Sequence, residues 1–248
     1  GYGDDGCIWG GEILVADERN YERVAHFDYV PMPGGEKAIK EPWRMAVAYL
    51  WAGLGEKVFQ DEQQPLQRWD RDQIGVLLQM MQRQINSPLT SSCGRLFDAV
   101  AALVGLRDRI AYEGQAAIEL EQCIEPTTDK YHYEFKEVEG RMLLSATSIF
   151  TQVFDDVVSG VAPALVSGKF HQTLVVMFAD ACLHLCKLHG LNRVVCSGGV
   201  FQNVFLLENL EDRLRASGLE VYTPQLIPAN DGCISLGQAV IGAASIAE

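Results

Sequence analysis

RVVCSGGVFQNVFLLENLEDRLRASGLEVYTPQLIPANDGCISLGQA, residues 193–239, decides the fold class. An apolar run at 193–196 ends in Ser197-Gly198-Gly199, and helical spacing of apolar residues follows from about 200 to 216. Gly218 closes that segment, a second apolar run covers 219–223, a proline-containing loop follows, and a small-residue helix begins at Ser235. Strand and helix alternating in this way predict an α/β fold with parallel strand pairing.

A strand ending in two glycines just before a helix admits backbone conformations closed to other residues. It also clears side chains from the path of a ligand. The helix start beyond it offers unpaired N–H groups and a partial positive charge, which suits a phosphate. Asn203 could add a side-chain donor there. A tight turn without any ligand has the same local signature. Asp231-Gly232 lies in a comparable loop, so both loops are expected at the carboxyl edge of one parallel sheet, where ligands of such sheets bind. Asp231 reads as a metal ligand or phosphate-side carboxylate, or as a turn or cap residue. A third glycine-rich turn, Gly1-Tyr2-Gly3-Asp4-Asp5-Gly6, could face the same ligand. Neither a GxxxxGK[ST] loop nor a GxGxxG after a strand is present, so neither of those nucleotide folds is supported.

Upstream, a glycine hairpin over Gly1–Gly11 leads to a strand around Glu12–Ala16, and Pro31, Pro33, Gly34 and Gly35 mark a loop. Pro42 suits the first turn of a helix through Trp43, Val47, Leu50 and Trp51. Helical periodicity recurs at 72–85 and 94–105, and two strands are expected around 131–145. A long helical tract from about Thr147 to His189 should break near Pro163 and again at Ser167-Gly168.

Hydrophobic residues make up 48% and charged residues 21% of the 248, the composition of a globular protein able to bury a large core. A net charge of −13 argues against nucleic acid as a partner. Seven dispersed cysteines in a chain of this length favour free thiols and a reducing compartment. Neither a membrane span, a signal-peptide pattern nor an Asn-x-Ser/Thr site is read, so the cytoplasm is expected. The chain opens on a glycine-rich turn without methionine, which suggests a fragment whose first strands lie upstream.

CSGGVFQN, IPANDGCISLGQA, SSCGRLFDAVAALVG and GYGDDGCIWGGE together resemble the carboxy-terminal domain of the HypF family, the hydrogenase maturation carbamoyltransferases. That domain is similar to the TsaD-like tRNA threonylcarbamoyl transferases, and both belong to the two-lobed, duplicated ribonuclease H-like fold of the actin-like ATPases. The resemblance implies lobes of about 1–145 and 146–248 that clasp ATP or carbamoyl adenylate. It places Gly198, Gly199 and Asn203 on the phosphates, with Gly1 and Gly3 facing them. It puts Asp98 at the ribose and Gly114 in the nucleoside pocket. Asp231 resembles the carboxylate that completes an iron or zinc site with an HxxxH pair. This sequence lacks that pair, so the isolated chain is expected to hold metal poorly. Cys233 stands where the family usually has a glycine.

The implied reaction passes a carbamoyl group from carbamoyl adenylate, made by a YrdC-like domain, to the C-terminal cysteine of a HypE-like acceptor. The acceptor supplies the thiolate, so the domain needs no nucleophile of its own and must hold the adenylate and exclude water. Alternatives are a tRNA threonylcarbamoyl transferase-like enzyme, which the acidity disfavours, an actin-fold small-molecule kinase, and a non-catalytic nucleotide-binding scaffold. Cys182, Cys186 and His189 share a helical face, as a metal site requires, but so do Val175, Phe178, Ala179 and Leu185, which reads as core. His26, His132, His171 and His184 are solitary in the sequence, and Ser197 lacks a GxSxG elbow.

Overall fold

The computed structural model describes residues 1–60 and 65–246. In chain order the elements are β1 (Glu12–Ala16), β2 (Tyr21–Phe27), β3 (Val30–Pro31), α1 (Glu36–Lys40), α2 (Trp43–Leu54) and α3 (Arg71–Gln82). Next come β4 (Leu89–Thr90), α4 (Cys93–Leu103), α5 (Gln115–Gln122), β5 (Phe135–Val138), β6 (Arg141–Leu144) and α6 (Ala146–Val158). The chain continues through α7 (Pro163–His189), β7 (Arg193–Val195), α8 (Val204–Ala216), β8 (Glu220–Tyr222) and α9 (Ile234–Ile246). Among the described residues no helix is long and apolar enough to cross a membrane.

The chain forms two compact units. The first comprises Gly1–Gly11, Phe27–Lys136 and Leu143–Thr173, and the second Glu12–His26, Glu137–Met142 and Leu174–Glu248. In the first, α2 and α4 are apolar around most of their circumference, and the sequence folds them inside because such a helix has no face to offer water. Every residue from Trp43 to Leu50 is buried, as is every residue from Leu96 to Leu103. Tyr49 lies 5.1 Å from Phe150, and Phe97 meets Phe170 edge-on at 5.0 Å and His171 at 5.3 Å. Side-chain caps fix where the helices begin. Asp70 accepts from Gln73 N–H, Ser92 from Arg95 N–H, and Asp28 reaches across the sequence to accept from Ala146 N–H at 2.8 Å.

In the second unit β1 and β2 form an antiparallel hairpin in which the buried Arg23–Glu12 ion pair, at 2.8 Å, satisfies both charges. β7 and β8 pair in parallel, Arg193 opposite Glu220 and Val195 opposite Tyr222, as the alternation predicted. Leu210 and Leu214 on one face of α8 close over this pair with Cys196, Val221 and the Ala179–Cys182 turn of α7.

Three local expectations change. The glycine turn does not lead directly into a helix: residues 199–202 form a 3-10 turn, and α8 begins only at Val204. The tract from 147 breaks once, at 159–162, and α7 then runs through Ser167-Gly168. Gly168 serves close approach there, since a Cβ would lie 2.1 Å from the Glu125 carbonyl oxygen, and the Ser167 hydroxyl donates to the Leu120 carbonyl. The first strand expected near 131 begins at Phe135, because Tyr131 N–H is taken by the Thr173 hydroxyl at 2.8 Å.

Candidate functional site

In the second unit β7 ends at Val195, and Cys196 N–H still extends the ladder to the Tyr222 carbonyl. Gly198 then turns the chain at φ +109°, a conformation that side-chain-bearing residues rarely adopt, and its N–H donates to the Ala229 carbonyl at 2.7 Å. That bond brings together the two loops that the sequence placed at one sheet edge. A Cβ on Gly199 would meet only the Asn230 Cβ, at 4.0 Å. The turn that follows uses Phe201 N–H and Asn203 N–H internally. Gly199 and Val200 N–H, its first two donors, have no acceptor among the described residues, as the start of a helical turn dictates.

Asn203 is 8% exposed and caps α8, its Oδ1 accepting from Leu206 N–H at 2.8 Å. Sequence reasoning treated it only as a donor. An Asn three residues before Leu206, ahead of an apolar periodic stretch, is the cap signature that identifies this second role. In the neighbouring loop Asn230 Oδ1 accepts from Gly232 N–H at 3.1 Å and shapes a 3-10 turn over Asp231–Cys233. Asp231 is exposed at the head of this turn. Cys233 fits the turn without a left-handed backbone. Gly232 is confined, since a Cβ there would press on Pro228 at 2.8 Å.

The other candidates belong to the first unit. Gly1–Gly6 forms a tight turn closed by Gly3 N–H to the Cys7 carbonyl and by a bridge between Tyr2 and Ile8. The bareness of Gly3 has a packing cause: its Cβ would lie 2.0 Å from the Trp9 indole, which Asp5 fixes through a 2.9 Å bond to the ring N–H. The turn is tied to the start of α4 through Cys93 N–H to the Gly10 carbonyl at 3.0 Å. Asp98, on α4, is only 2% exposed. Burial pushes its carboxyl up to about 6, against the pull of Arg95, whose Nη1 lies 2.6 Å from Asp98 Oδ2 without hydrogen-bond alignment. The Tyr49 hydroxyl is fully buried without a hydrogen bond, and burial raises it well above the usual phenol range with Asp28, Cys93 and Asp98 nearby.

Gly114 adopts φ +78°, the left-handed residue that starts α5. The segment before it is held by Ala111 N–H to Gln115 Oε1, and by Glu119, which accepts from Gln115 and in two bonds from Arg107.

Among the described residues no three His, Cys, Asp or Glu side chains gather as metal ligands. Cys182 and Cys186 are buried core residues as expected. Burial, with Cys196 and Cys186 near, raises the Cys182 thiol to about 12, and burial raises Cys196 to about 11. Both stay protonated at neutral pH.

Residues 1–238 match the family model for a carbamoyltransferase, Kae1-like domain, second subdomain. The chain is 35% identical over 263 residues to carbamoyltransferase HypF2 of Cupriavidus necator, covering 96% of this chain and 32% of that protein. It is 35% identical over 251 residues to carbamoyltransferase HypF of Rhodobacter capsulatus, covering 99% and 31%. A tRNA N6-adenosine threonylcarbamoyltransferase of Clostridium botulinum matches 60% of the chain at 24% identity. Among solved structures, full-length HypF in a phosphate- and nucleotide-bound form superposes with a TM-score of 0.93 at 41% identity, over 100% of this chain and 32% of that one. T. kodakarensis HypF gives 0.83 at 29%, over 99% and 32%. The chain thus spans about a third of the length of these HypF relatives.

Proposed function

The chain belongs to the HypF carbamoyltransferase family as part of its Kae1-like domain, and from that premise we propose that it holds an adenylate for carbamoyl transfer to a protein thiol. The carrying observation is the turn after β7: a left-handed Gly198, open amides on Gly199 and Val200, and the 229–231 loop bonded alongside. Amides fixed in this way stabilise an anion without reorganising. A relative that is 41% identical was crystallised with phosphate and nucleotide bound, which supports the same use here.

In this reading Gly198 and Gly199 cradle the phosphates and Asn203 contributes its Nδ2, since Oδ1 is committed to the cap. For Gly1 and Gly3 at the phosphates, Asp98 at the ribose and Gly114 at the nucleoside, the support is the family resemblance alone. A HypE-like acceptor brings its C-terminal cysteine thiolate to the carbamoyl carbon of carbamoyl adenylate, which a YrdC-like domain supplies. The S–C bond forms as the C–O bond to phosphate breaks, and AMP leaves with that electron pair. Asp231 stands exposed, and among the described residues no further His, Cys, Asp or Glu side chains gather with it as a metal centre.

The experiment follows AMP release by this chain together with a YrdC-like domain, given ATP, carbamoyl phosphate and a peptide ending in cysteine. AMP with a carbamoylated thiol is expected, and replacing the terminal cysteine by serine should abolish transfer. ADP as the nucleotide product would establish the kinase reading instead.

A further inference from the structure

A cavity of about 420 Å³ opens in the first unit between the starts of α1 and α2, one face of α3 and the segment after α3. Its volume lies in the range of small-molecule sites, roughly 300–1,000 Å³. Neither Asp98 nor Gly114 lines it. We propose that this cavity binds a carboxylate carried on an apolar body.

The floor is apolar: Trp43, Leu77 and Met80, with Val76 at 56% exposure toward the opening. The polar lining is mixed: the Arg44 guanidinium, the Lys37 ammonium and the Trp43 N–H donate, the exposed Gln73 and Asn86 amides can donate or accept, and Asp72 is an exposed carboxylate. Trp43 is 5% exposed, yet its indole N–H has no acceptor among the described residues, whereas the Trp69 and Trp9 N–H groups reach Asp108 and Asp5 at 3.0 and 2.9 Å. Arg44, 9% exposed, gives Nε to Glu41 and a long 3.5 Å contact from Nη1 to the Pro33 carbonyl, which leaves Nη2 without an acceptor among the described residues. Lys37 Nζ stands 4.0 Å from the same Glu41 oxygen, and Asn86 is exposed at the rim.

Two lining residues take positive φ, Gly34 at +94°, which glycine adopts freely, and Asn86 at +45°. A Cβ on Gly34 would crowd Arg44 Nη1 at 3.2 Å. A carboxylate matches the planar guanidinium fork, and an apolar body matches the floor. A phosphate dianion fits worse, because Asp72 also lines the cavity and Glu41 already neutralises part of its positive charge.

The proposal is independent of the transfer reaction, since it concerns a different set of residues. Calorimetric titration of the intact protein with N-acetyl-leucine, N-acetyl-leucinamide and 4-methylpentanoate tests it. Saturable binding of N-acetyl-leucine is expected with a roughly millimolar Kd, as suits a ligand of this size. The amide should bind at least tenfold more weakly. Lys37→Gln, whose side chain is 60% exposed, should weaken binding threefold or more while leaving the melting temperature and ATP affinity unchanged, and Trp43→Phe, which replaces the indole by a smaller ring without an N–H, should weaken binding at least as much with a lowered melting temperature. A preference for N-acetyl-leucine over 4-methylpentanoate assigns the site to a polypeptide C-terminus, and equal binding assigns it to free acids. Absence of saturation, equal affinity for acid and amide, or an unaltered Kd in both variants overturns the proposal.

Discussion

α4 and α9 are built from similar material and meet opposite fates. α4, CGRLFDAVAAL, buries every residue from Leu96 to Leu103, while α9, ISLGQAVIGAASI, buries none, and Ile234, Leu236, Val240 and Ile241 are about half exposed. Apolar composition therefore does not decide burial. A helix is buried when neighbours present complementary surface, as α2 and α6 do in the first unit. The same contrast governs the two groups of site residues: Asp98 sits in a dense interior, and Asp231 on an open turn.

The sharpest way to break this comparison is truncation at matched positions. Phe97→Ala should cost about 3–5 kcal/mol in urea unfolding, because Phe97 is 1% exposed and its contacts with Phe170 and His171 cannot be replaced. Ile241→Ala in α9 should stay within about 0.5 kcal/mol, the range of exposed substitutions. Similar losses at the two positions would mean that α9 is covered in solution.

Asp98 offers a second test, through pH. Its folded carboxyl titrates near 6 against an ordinary value of 3.8, so the folded state holds the proton more tightly. Its contribution is therefore most favourable below pH 4 and is lost as pH rises through 6, by about 3 kcal/mol at 1.36 kcal/mol per unit. Asp98→Asn should remove this falling limb from the stability profile measured by denaturant between pH 4 and 8. An unaltered slope would show the carboxyl to be solvated.

A modest effect on folding, with the clearest one on binding, belongs to Gly198→Val. The added side chain meets no atoms within 4 Å, so its cost is backbone strain at φ +109°, about 1–2 kcal/mol. ATP affinity by calorimetry should fall at least tenfold while the circular dichroism spectrum persists. Unchanged affinity would remove the turn from the nucleotide site.

How much of this was legible in the sequence follows from how local each cause is. The run from Arg193 to Tyr222 could be read element by element, because periodicity, Gly218 and the glycine turn act within a few residues. The continuity of α7 through Gly168 was not legible, since it depends on the carbonyls of Leu120 and Glu125 more than forty residues away. Gly3 was read as clearance for a ligand, and the Trp9 ring that covers it becomes evident only once the turn closes. The burial of Asp98 could have been suspected, because its helix is apolar on every side. The Arg44 cavity was hidden, as its walls come from stretches between 34 and 86 that the sequence presents as separate elements.

The thiols carry one practical consequence. Cys182 and Cys196 keep their protons until about pH 11–12, so alkylating reagents at neutral pH pass them by. Cys7, Cys123 and Cys233 are half-buried, and Cys233, two residues after Asp231, is a natural attachment point beside the turn at 198 once the other two are replaced. A small fluorophore placed there would report ligand arrival at that loop without any engineered cysteine.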